Sequence, residues 1–335
     1  MRIVRYHEHG PPEVLKIEEA PTPKPGEGEV LIRIEATNVG YAEVLRRMGG
    51  YHPGPPIALP YSPGAQGVGL VEDVGQGVDK RLVGQRVMAS ITTGGYAEQG
   101  LAKVESLRRI PDGVDPVAAL AIYSEADTAG LAIRAAGKMQ AGETVFVPAA
   151  TGGVGLVAVQ LCRLWGASRV FGAASSEAKR RVVADLGAIP IDYTKEDWSK
   201  EVIEKNGGKG VDLAFEVTGG PVFYETFNAV RAGGRVVNYG NVTDTDSPIN
   251  PRQLLRKNQA LIGFFRSMAL REHLYDKERE ELMREVDGFL IEGKLKAPIG
   301  GAFALEEAPE AHRILESRSA TGKVVVLPNG RLPLS

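Results

Sequence analysis

The chain has 335 residues, 43% of them hydrophobic and 24% charged, and a length of this size predicts about two domains. With 40 Lys and Arg against 42 Asp and Glu, it has no basic excess to neutralise phosphates, so nucleic acid is not an expected partner. A single cysteine excludes an internal disulfide and a four-cysteine zinc site, and five scattered histidines do not suggest a metal cluster.

The N-terminal segment carries no targeting signal. It reads MRIVRYHEHG and is charged where a secretory signal would be apolar. No window approaches the roughly 18 apolar residues that a transmembrane helix needs. The sequence therefore predicts a cytoplasmic protein with no membrane association.

The first third of the chain has the pattern of an antiparallel β domain. Short β-branched runs alternate with Gly and Pro turns, as in a β-barrel, and a short helix is predicted at 39–47. The strand-like runs lie at residues 30–34, 68–74, 86–90 and 95–101.

After about residue 120 the pattern changes to strands that alternate with helices. Such alternation predicts βαβ units and a doubly wound parallel sheet covered on both faces. The predicted strands are 144–149, 169–174, 211–217 and 235–239, and the predicted helices are 153–165, 177–186, 197–205 and 222–230.

The C-terminal part ends in a β pattern. Residues 271–292 form a charged stretch typical of an exposed amphipathic helix, and GKVVVLP at 322–328 predicts a final strand. A strand after an α/β block indicates that the chain returns to its first domain. We therefore predict a β domain from residues 1–119 and 266–335, and a dinucleotide-binding α/β domain from residues 120–265.

A glycine-rich turn carries the strongest chemical signal. In TVFVPAATGGVGLVAVQL, residues 144–161, a strand enters the turn and a helix follows at once. Glycines let the backbone turn sharply and let a pyrophosphate approach the free N–H groups of the helix. Ala150 stands where a strict GxGxxG motif has glycine, and such a segment can also be only a tight turn. Its place among repeated βα units favours dinucleotide binding.

The end of the next strand indicates which dinucleotide binds. A carboxylate there would hold the ribose 2′-hydroxyl of NADH, but the segment reads Gly-Ala-Ala-Ser-Ser at 172–176, and Lys179 follows. Two hydroxyls and a lysine suit a 2′-phosphate, so NADPH is the expected cofactor. In the alternative, a serine only caps the next helix and Lys179 is a solvated surface charge.

Taken together with these residues, the whole chain resembles the zinc-independent quinone oxidoreductases, the zeta-crystallin-like branch of the medium-chain dehydrogenase/reductase superfamily. The most specific pieces are AATGGVGLVAVQL, the stretch ASSEAKRRVVADLGAIPIDY, and GGRVVNYGN followed by INPRQLLRKNQALIGFF. The resemblance implies a GroES-like β-barrel domain made from both chain ends, with a Rossmann domain between them. It also implies a homodimer, with strand pairing at the Rossmann sheet edge near residues 261–265.

The resemblance implies cofactor-binding residues by position. Those around the pyrophosphate are Thr151, Gly152, Gly153, Val154 and Gly155. Those around the 2′-phosphate are Ser175, Lys179 and Tyr193. Those lining the nicotinamide half are Thr128, Gly219, Gly240, Asn241, Phe264 and Phe265, while Arg318 resembles a family arginine that approaches the cofactor from the other domain.

Zinc-dependent relatives differ at the residues that would bind the metal. They have Cys where this chain has Gly40, and a His-Glu pair where it has Ala65-Gln66. Neither glycine nor alanine can ligate a metal, so no metal is expected and zinc-assisted alcohol oxidation is the wrong mechanism. Hydride delivery to an already electrophilic acceptor needs no metal.

Two positions depart from the family pattern. Relatives commonly have Asn in the register of Gly40, which bears on acceptor choice. Ser124-Glu125-Ala126-Asp127 is more acidic than usual. Ser124 and Asp127 have the spacing of a capping box, and the alternative is that Asp127 relays protons beside the nicotinamide.

The proton donor to the reduced acceptor is assigned to Tyr51, which matches a tyrosine that relatives place at the substrate cleft. The alternative is that Tyr51 only packs within a Gly- and Pro-rich loop. The predicted function is NADPH-dependent hydride transfer to a quinone or an α,β-unsaturated carbonyl, both small molecules. Two rival hypotheses are a trans-acting enoyl-thioester reductase and an NADPH-binding protein with little turnover.

Overall fold

The chain folds into two units. A computed structural model describes residues 1–50, 57–243 and 247–330. Unit 1 comprises residues 1–124 together with the chain from Lys296 onward, and unit 2 is Glu125–Leu295. Among the helices of these described residues, none has both the length and the hydropathy needed to cross a membrane.

The second boundary between the units differs from the predicted one. Residues 266–295 belong with unit 2, although the sequence had placed them with the β domain. Packing explains the difference. The Leu282 side chain lies where a Cβ on Gly130 would stand, and the Glu285 carboxylate pairs with Arg134 at 2.7 Å.

Unit 1 begins with strands and short helices, because its apolar residues alternate and Gly and Pro break each run. The elements up to the unit boundary are β1 (Arg2–Arg5), β2 (Lys16–Glu19), β3 (Glu29–Val39), α1 (Tyr41–Arg47), β4 (Gln66–Val74), β5 (Arg86–Ser90), β6 (Gln99–Lys103), β7 (Arg108–Arg109) and α2 (Pro116–Leu131), which continues into unit 2.

Unit 2 alternates strands and helices as its sequence pattern predicts. Its elements are β8 (Thr144–Val147), α3 (Gly153–Leu164), β9 (Arg169–Ala173), α4 (Glu177–Asp185), β10 (Ile189–Ile191), α5 (Trp198–Lys205), β11 (Val211–Glu216), α6 (Gly220–Ala229), β12 (Val230–Asn238), α7 (Pro251–Lys257), β13 (Ala260–Gly263), α8 (Arg266–Arg271) and α9 (Asp276–Ile291).

The chain then returns to unit 1 with β14 (Ile299–Ala304), α10 (Ala308–Glu316) and β15 (Lys323–Leu327). The strands of its main sheet follow the order β14-β15-β3-β4-β5-β7, and β6 pairs with β3. β15 is antiparallel to β3. The predicted return of the C-terminal strand to the first domain is therefore confirmed.

The sheet of unit 2 is parallel, with the strand order β10-β9-β8-β11-β12-β13. This is the order of a Rossmann fold, and the predicted fold class is confirmed. Phe146 of β8 stacks on Trp198 of α5, with ring centroids 4.8 Å apart, in the core on one side of the sheet. From β8 the chain adds β9 and β10 on one side of the sheet and then crosses over to add β11 on the other side of β8. Such a switch point places a binding crevice at the carboxyl ends of β8 and β11.

Candidate functional site

The glycine turn lies at this crevice, between β8 and α3. Gly152 is the N-cap of α3 and has no side chain to accept the first N–H groups of the helix. Those N–H groups and the helix dipole are suited to an anion. Thr151 is buried beside them, and Gly153 and Val154 are the first two helical residues.

Close contacts require glycine at two positions around the turn. A Cβ on Gly155 would lie 2.3 Å from the carbonyl oxygen of Ala149, which is closer than real atoms approach. A Cβ on Gly172, in β9, would lie 2.9 Å from the Cβ of Ala150. Ala150, which departs from the strict motif, is thus packed tightly against β9.

The predicted 2′-phosphate residues follow β9. Ser175 is exposed, while Lys179 is half-buried in the first turn of α4. Ser176 caps that helix, because its Oγ accepts from the Lys179 amide at 3.3 Å. Tyr193 packs against the aromatic core beyond β10. The predicted capping alternative is therefore correct for Ser176.

Arg180 was not predicted as a site residue, although it follows Lys179 directly. Its guanidinium pairs with the Asp192 carboxylate at 3.0 Å and donates to the Ala174 carbonyl at 3.4 Å. Hydrogen bonds from Thr194, together with the charge of Arg180, hold the pKa of Asp192 below its ordinary value. The Asp192 carboxylate is therefore occupied by contacts with Arg180 and Thr194.

A buried carboxyl group organises the crevice where β11 ends. Glu216 is fully buried, and its Oε1 accepts from the Thr218 and Gly219 amides at 2.8 and 3.1 Å. Its Oε2 accepts from the Asn238 side chain at 3.1 Å. Burial raises the pKa of Glu216, although these hydrogen bonds act in the opposite direction. The network fixes the loops that follow β11 and β12.

Gly219 and Asn241 are brought together by these loops. The backbone of Gly219 has φ +81°, a conformation that favours glycine. A Cβ at this position would lie 2.2 Å from the Oδ1 of Asn241. Two of the predicted nicotinamide residues are therefore in direct contact.

A pocket of about 440 Å³ opens beside the ends of β12 and β13. It includes three predicted nicotinamide residues, Gly240, Phe264 and Phe265. The complete lining is Asn238, Tyr239, Gly240, Gly263, Phe264, Phe265, Met268, Ala269, Leu274 and Tyr275. It is mostly apolar, with a few polar groups, as is usual for small-molecule sites.

Tyr239 and Glu125 are polar residues of this region that the sequence had not identified as site residues. Burial, and then the charges of Glu216 and Glu125, raise the pKa of Tyr239, so it stays a phenol at neutral pH. Glu125 lies on α2, three residues before Thr128 and so on the same helix face. Their identification needed the tertiary structure.

The structure supports neither of the two predictions for the acidic segment before Thr128, the capping box and the proton relay. α2 begins at Pro116, so Ser124 and Asp127 lie in its interior and the capping-box interpretation is wrong. Asp127 is buried and accepts two hydrogen bonds from Arg279, at 2.8 and 3.0 Å. It joins α2 to α9 as an ion pair, which does not support a proton relay.

We expect Asp127→Asn to lower the free energy of unfolding of the protein by about 1.5 kcal/mol, because Arg279 loses its charged partner. The value is modest because the Arg279 side chain is 44% exposed. Urea unfolding monitored by fluorescence measures the change. Asp197→Asn breaks an exposed pair with Lys200 and is the control, expected to leave the free energy of unfolding nearly unchanged. Equal effects of the two substitutions would contradict the assignment.

Two other positions singled out in the sequence, Gly40 and Arg318, lie in unit 1. Arg318 follows α10, with φ +55°, and its amide donates to the Leu315 carbonyl at 3.0 Å. Gly40 is the N-cap of α1, and nothing lies within 4 Å of a Cβ placed on it. Tyr51 lies outside the described residues.

The residues present do not fit a catalytic zinc ion. Gly40 and Ala65 have no side-chain atom that can ligate a metal, and the Ala65 amide donates to Glu43 Oε1 at 3.1 Å. Within residues 1–50, 57–243 and 247–330, no three His, Cys, Asp or Glu side chains are grouped as metal ligands would be.

Two family models match the chain. Residues 26–112 match the alcohol dehydrogenase GroES-like domain, and residues 153–286 match the zinc-binding dehydrogenase family. Both matches agree with the two units of the structure. The second description mentions a metal for which this chain lacks ligands at the expected positions.

Curated relatives match over nearly the whole chain. Quinone oxidoreductase of Lama guanicoe is 34% identical over 331 residues, which is 98% of this chain and 97% of the relative. Quinone oxidoreductase of Pseudomonas aeruginosa is 31% identical, and the match covers 97% of this chain and 99% of the relative.

Two solved structures are similar to this chain over nearly its whole length. Escherichia coli quinone oxidoreductase complexed with NADPH has a TM-score of 0.87 at 26% identity, covering 98% of this chain and 100% of that chain. A structure described as an NAD-dependent alcohol dehydrogenase has the same TM-score at 30% identity, with the same coverage.

Proposed function

Because the chain belongs to the quinone oxidoreductase family of the medium-chain dehydrogenase/reductase superfamily, we propose that it transfers a hydride from NADPH, without zinc, to a quinone or an α,β-unsaturated carbonyl. The observation that carries this proposal is the turn before α3. At Gly155 it has no room for a Cβ, and it presents helix N–H groups at the crevice of the parallel sheet.

The residues present fit NADPH. The amides from Thr151 to Gly155 would bind the pyrophosphate, and Ser175, Lys179 and Tyr193 would surround the 2′-phosphate. Gly219, Gly240 and Asn241 would lie along the nicotinamide half. When bound, NADPH would supply the hydride. NADPH in the Escherichia coli relative supports the same cofactor here.

The apolar pocket beside β13 favours a flat, electrophilic acceptor. Phe264 and Phe265 would exclude water from the reacting atoms and hold an acceptor close to the nicotinamide. Quinones and enones are already electrophilic, so orientation is the main requirement and a Lewis acid is not needed. The proton donor remains assigned to Tyr51, with solvent as the alternative source.

We also propose a homodimer. β13 is the last strand of the parallel sheet in the part of the chain that the structure describes, so its outer edge can pair with a second copy. Sedimentation equilibrium would distinguish a dimer from a monomer.

The test is anaerobic NADPH consumption with a simple 1,4-quinone and a simple enone side by side, with both products identified. We expect turnover of at least one acceptor, and the faster one identifies the substrate class. A strong chelator should leave the rate unchanged, whereas a loss that added zinc restores would contradict the metal-free mechanism. NADPH binding without turnover of either acceptor would favour a thioester substrate or a non-catalytic role.

A further inference from the structure

The last residues of three neighbouring strands form a row at the crevice of unit 2. Glu216 ends β11, Asn238 ends β12 and Gly263 ends β13, and the three are paired in register. Paired residues of adjacent strands place their side chains on the same face of a sheet. Glu216 and Asn238 therefore share the face on which a Cβ at Gly263 would meet nothing within 4 Å. Asn238 and Gly263 both line the pocket beside β13.

Hydrogen bonds fix the orientation of the Asn238 side-chain amide. Its Nδ2 donates to Glu216 Oε2 at 3.1 Å and to the Gly240 carbonyl at 3.2 Å, which uses both of its N–H groups. The reversed amide would place Oδ1 against two acceptor oxygens, which is unfavourable. In the described ranges no group donates to Oδ1, and it is not one of the buried polar atoms without a partner, so its surface is accessible. The row thus offers an accessible acceptor at the pocket.

Glu216 can hold the amide in this orientation because its own carboxylate is fixed. The side chain is fully buried, and its Oε1 accepts from the Thr218 and Gly219 amides at 2.8 and 3.1 Å. Rotation of the carboxylate would leave these backbone donors without a partner. Oε2 is therefore held towards Asn238 as an acceptor.

The chemistry of the proposed ligands indicates which group would meet the Asn238 Oδ1. Quinones and α,β-unsaturated carbonyls present carbonyl oxygens, which are acceptors and cannot donate to it. The nicotinamide ring carries a carboxamide, whose NH₂ group supplies two donors next to the reacting carbon. An accessible amide oxygen at this crevice therefore suits the carboxamide and not the acceptor.

We propose that Asn238 positions the nicotinamide ring by accepting a hydrogen bond from its carboxamide, and that Glu216 sets the amide orientation that makes this possible. This inference rests on the proposed function, which places the nicotinamide half along Gly219, Gly240 and Asn241. Turning the ring about its bond to the ribose would break the hydrogen bond. Asn238 would thus keep one face of the ring towards the acceptor.

The test compares NADPH with its 3-acetylpyridine analogue, in which a methyl ketone replaces the carboxamide and both donors are lost. Titration calorimetry at pH 7.5 gives the two dissociation constants. In Asn238→Ala, the ratio of the analogue constant to the NADPH constant should fall about fivefold relative to the unchanged protein, because only NADPH loses a hydrogen bond. General damage to the loop would weaken both ligands equally and leave this ratio unchanged.

Glu216→Gln tests the orientation without altering a group that meets the ligand. The glutamine oxygen would keep the Thr218 and Gly219 amides as donors, so its NH₂ group would face Asn238 and favour the reversed amide there. Nδ2 would then replace Oδ1 at the pocket, and the ratio should fall by a similar factor of about five. Circular dichroism checks that each variant is folded.

Asn228→Ala is the matched control, because Asn228 is exposed on α6 and its Nδ2 also donates to a carboxylate, that of Glu225, at 2.7 Å. Its ratio should equal that of the unchanged protein. An unchanged ratio in Asn238→Ala would overturn the inference, even if both affinities fell. An unchanged ratio in Glu216→Gln would overturn the orienting role of Glu216. If the unchanged protein binds neither ligand, the proposed function itself fails.

Discussion

Gly155→Ala is expected to weaken NADPH binding by at least about a hundredfold and to lower the free energy of unfolding by about 3 kcal/mol. The added methyl group would lie 2.3 Å from the Ala149 carbonyl oxygen and 2.9 Å from the Ala150 Cα. Both are backbone atoms, so no side chain can move aside. The start of α3 must shift away from β8, and its N–H groups then no longer converge on the pyrophosphate.

Two further alanine substitutions separate this clash from a general effect of removing glycine. Gly288→Ala makes the same change inside α9, where a Cβ meets nothing within 4 Å, so binding and stability should be unchanged or slightly improved. Gly152→Ala places its Cβ 3.3 Å from the Ala149 carbonyl oxygen, so a smaller loss of affinity is expected. Calorimetric titration with NADPH measures all three. Affinity of Gly155→Ala within threefold of the unchanged protein would show that the turn does not hold the cofactor.

The alternating pattern of unit 2 was predictable because each element has a local signature. A strand buried on both faces reads as an apolar run, and a helix on the sheet surface shows apolar residues at helical spacing. α2 lacks such a signature, because most of its residues between Val117 and Leu131 are buried. Without a polar face its helix could not be recognised, and Ser124 and Asp127 were therefore misread as a helix start.

The segment after β13 shows a second limit of sequence patterns. Residues 271–292 were predicted as one exposed helix, but α8 ends at Arg271 and α9 begins at Asp276, with His273 at φ +52° between them. Leu282 and Val286 are buried. The amphipathic pattern indicated an apolar face, but it could not show the break between α8 and α9 or that this face packs within unit 2.

The candidate site was predictable where it depends on residues close in sequence. The turn from Thr151 to Gly155 has its spacing fixed by the strand and helix on either side. Glu125 and Tyr239 reach the site from elements far apart in the chain, so no local motif identifies them. Arg180 shows the same limit, because its role depends on the ion pair with Asp192.

Lys179→Ala is expected to weaken NADPH binding about fiftyfold and to change NADH binding by less than about twofold. The two cofactors differ only in the 2′-phosphate, so the difference isolates the charge-assisted hydrogen bond that Lys179 would supply. Lys209→Ala removes an exposed lysine before β11, away from the carboxyl ends of the strands, and should alter neither constant. Calorimetry with both cofactors measures the preference directly.

The pH dependence makes the Lys179 assignment more specific. The second pKa of a phosphate monoester is about 6. The 2′-phosphate therefore takes up a proton and loses a negative charge as the pH falls from about 7.5 to about 5. The NADPH affinity lost in Lys179→Ala should shrink over that interval, because the charge that the lysine would meet becomes smaller. Arg180→Ala provides a comparison, since Arg180 is already paired with Asp192 and should contribute less. Equal weakening of NADPH and NADH by Lys179→Ala would instead place this lysine outside the phosphate site.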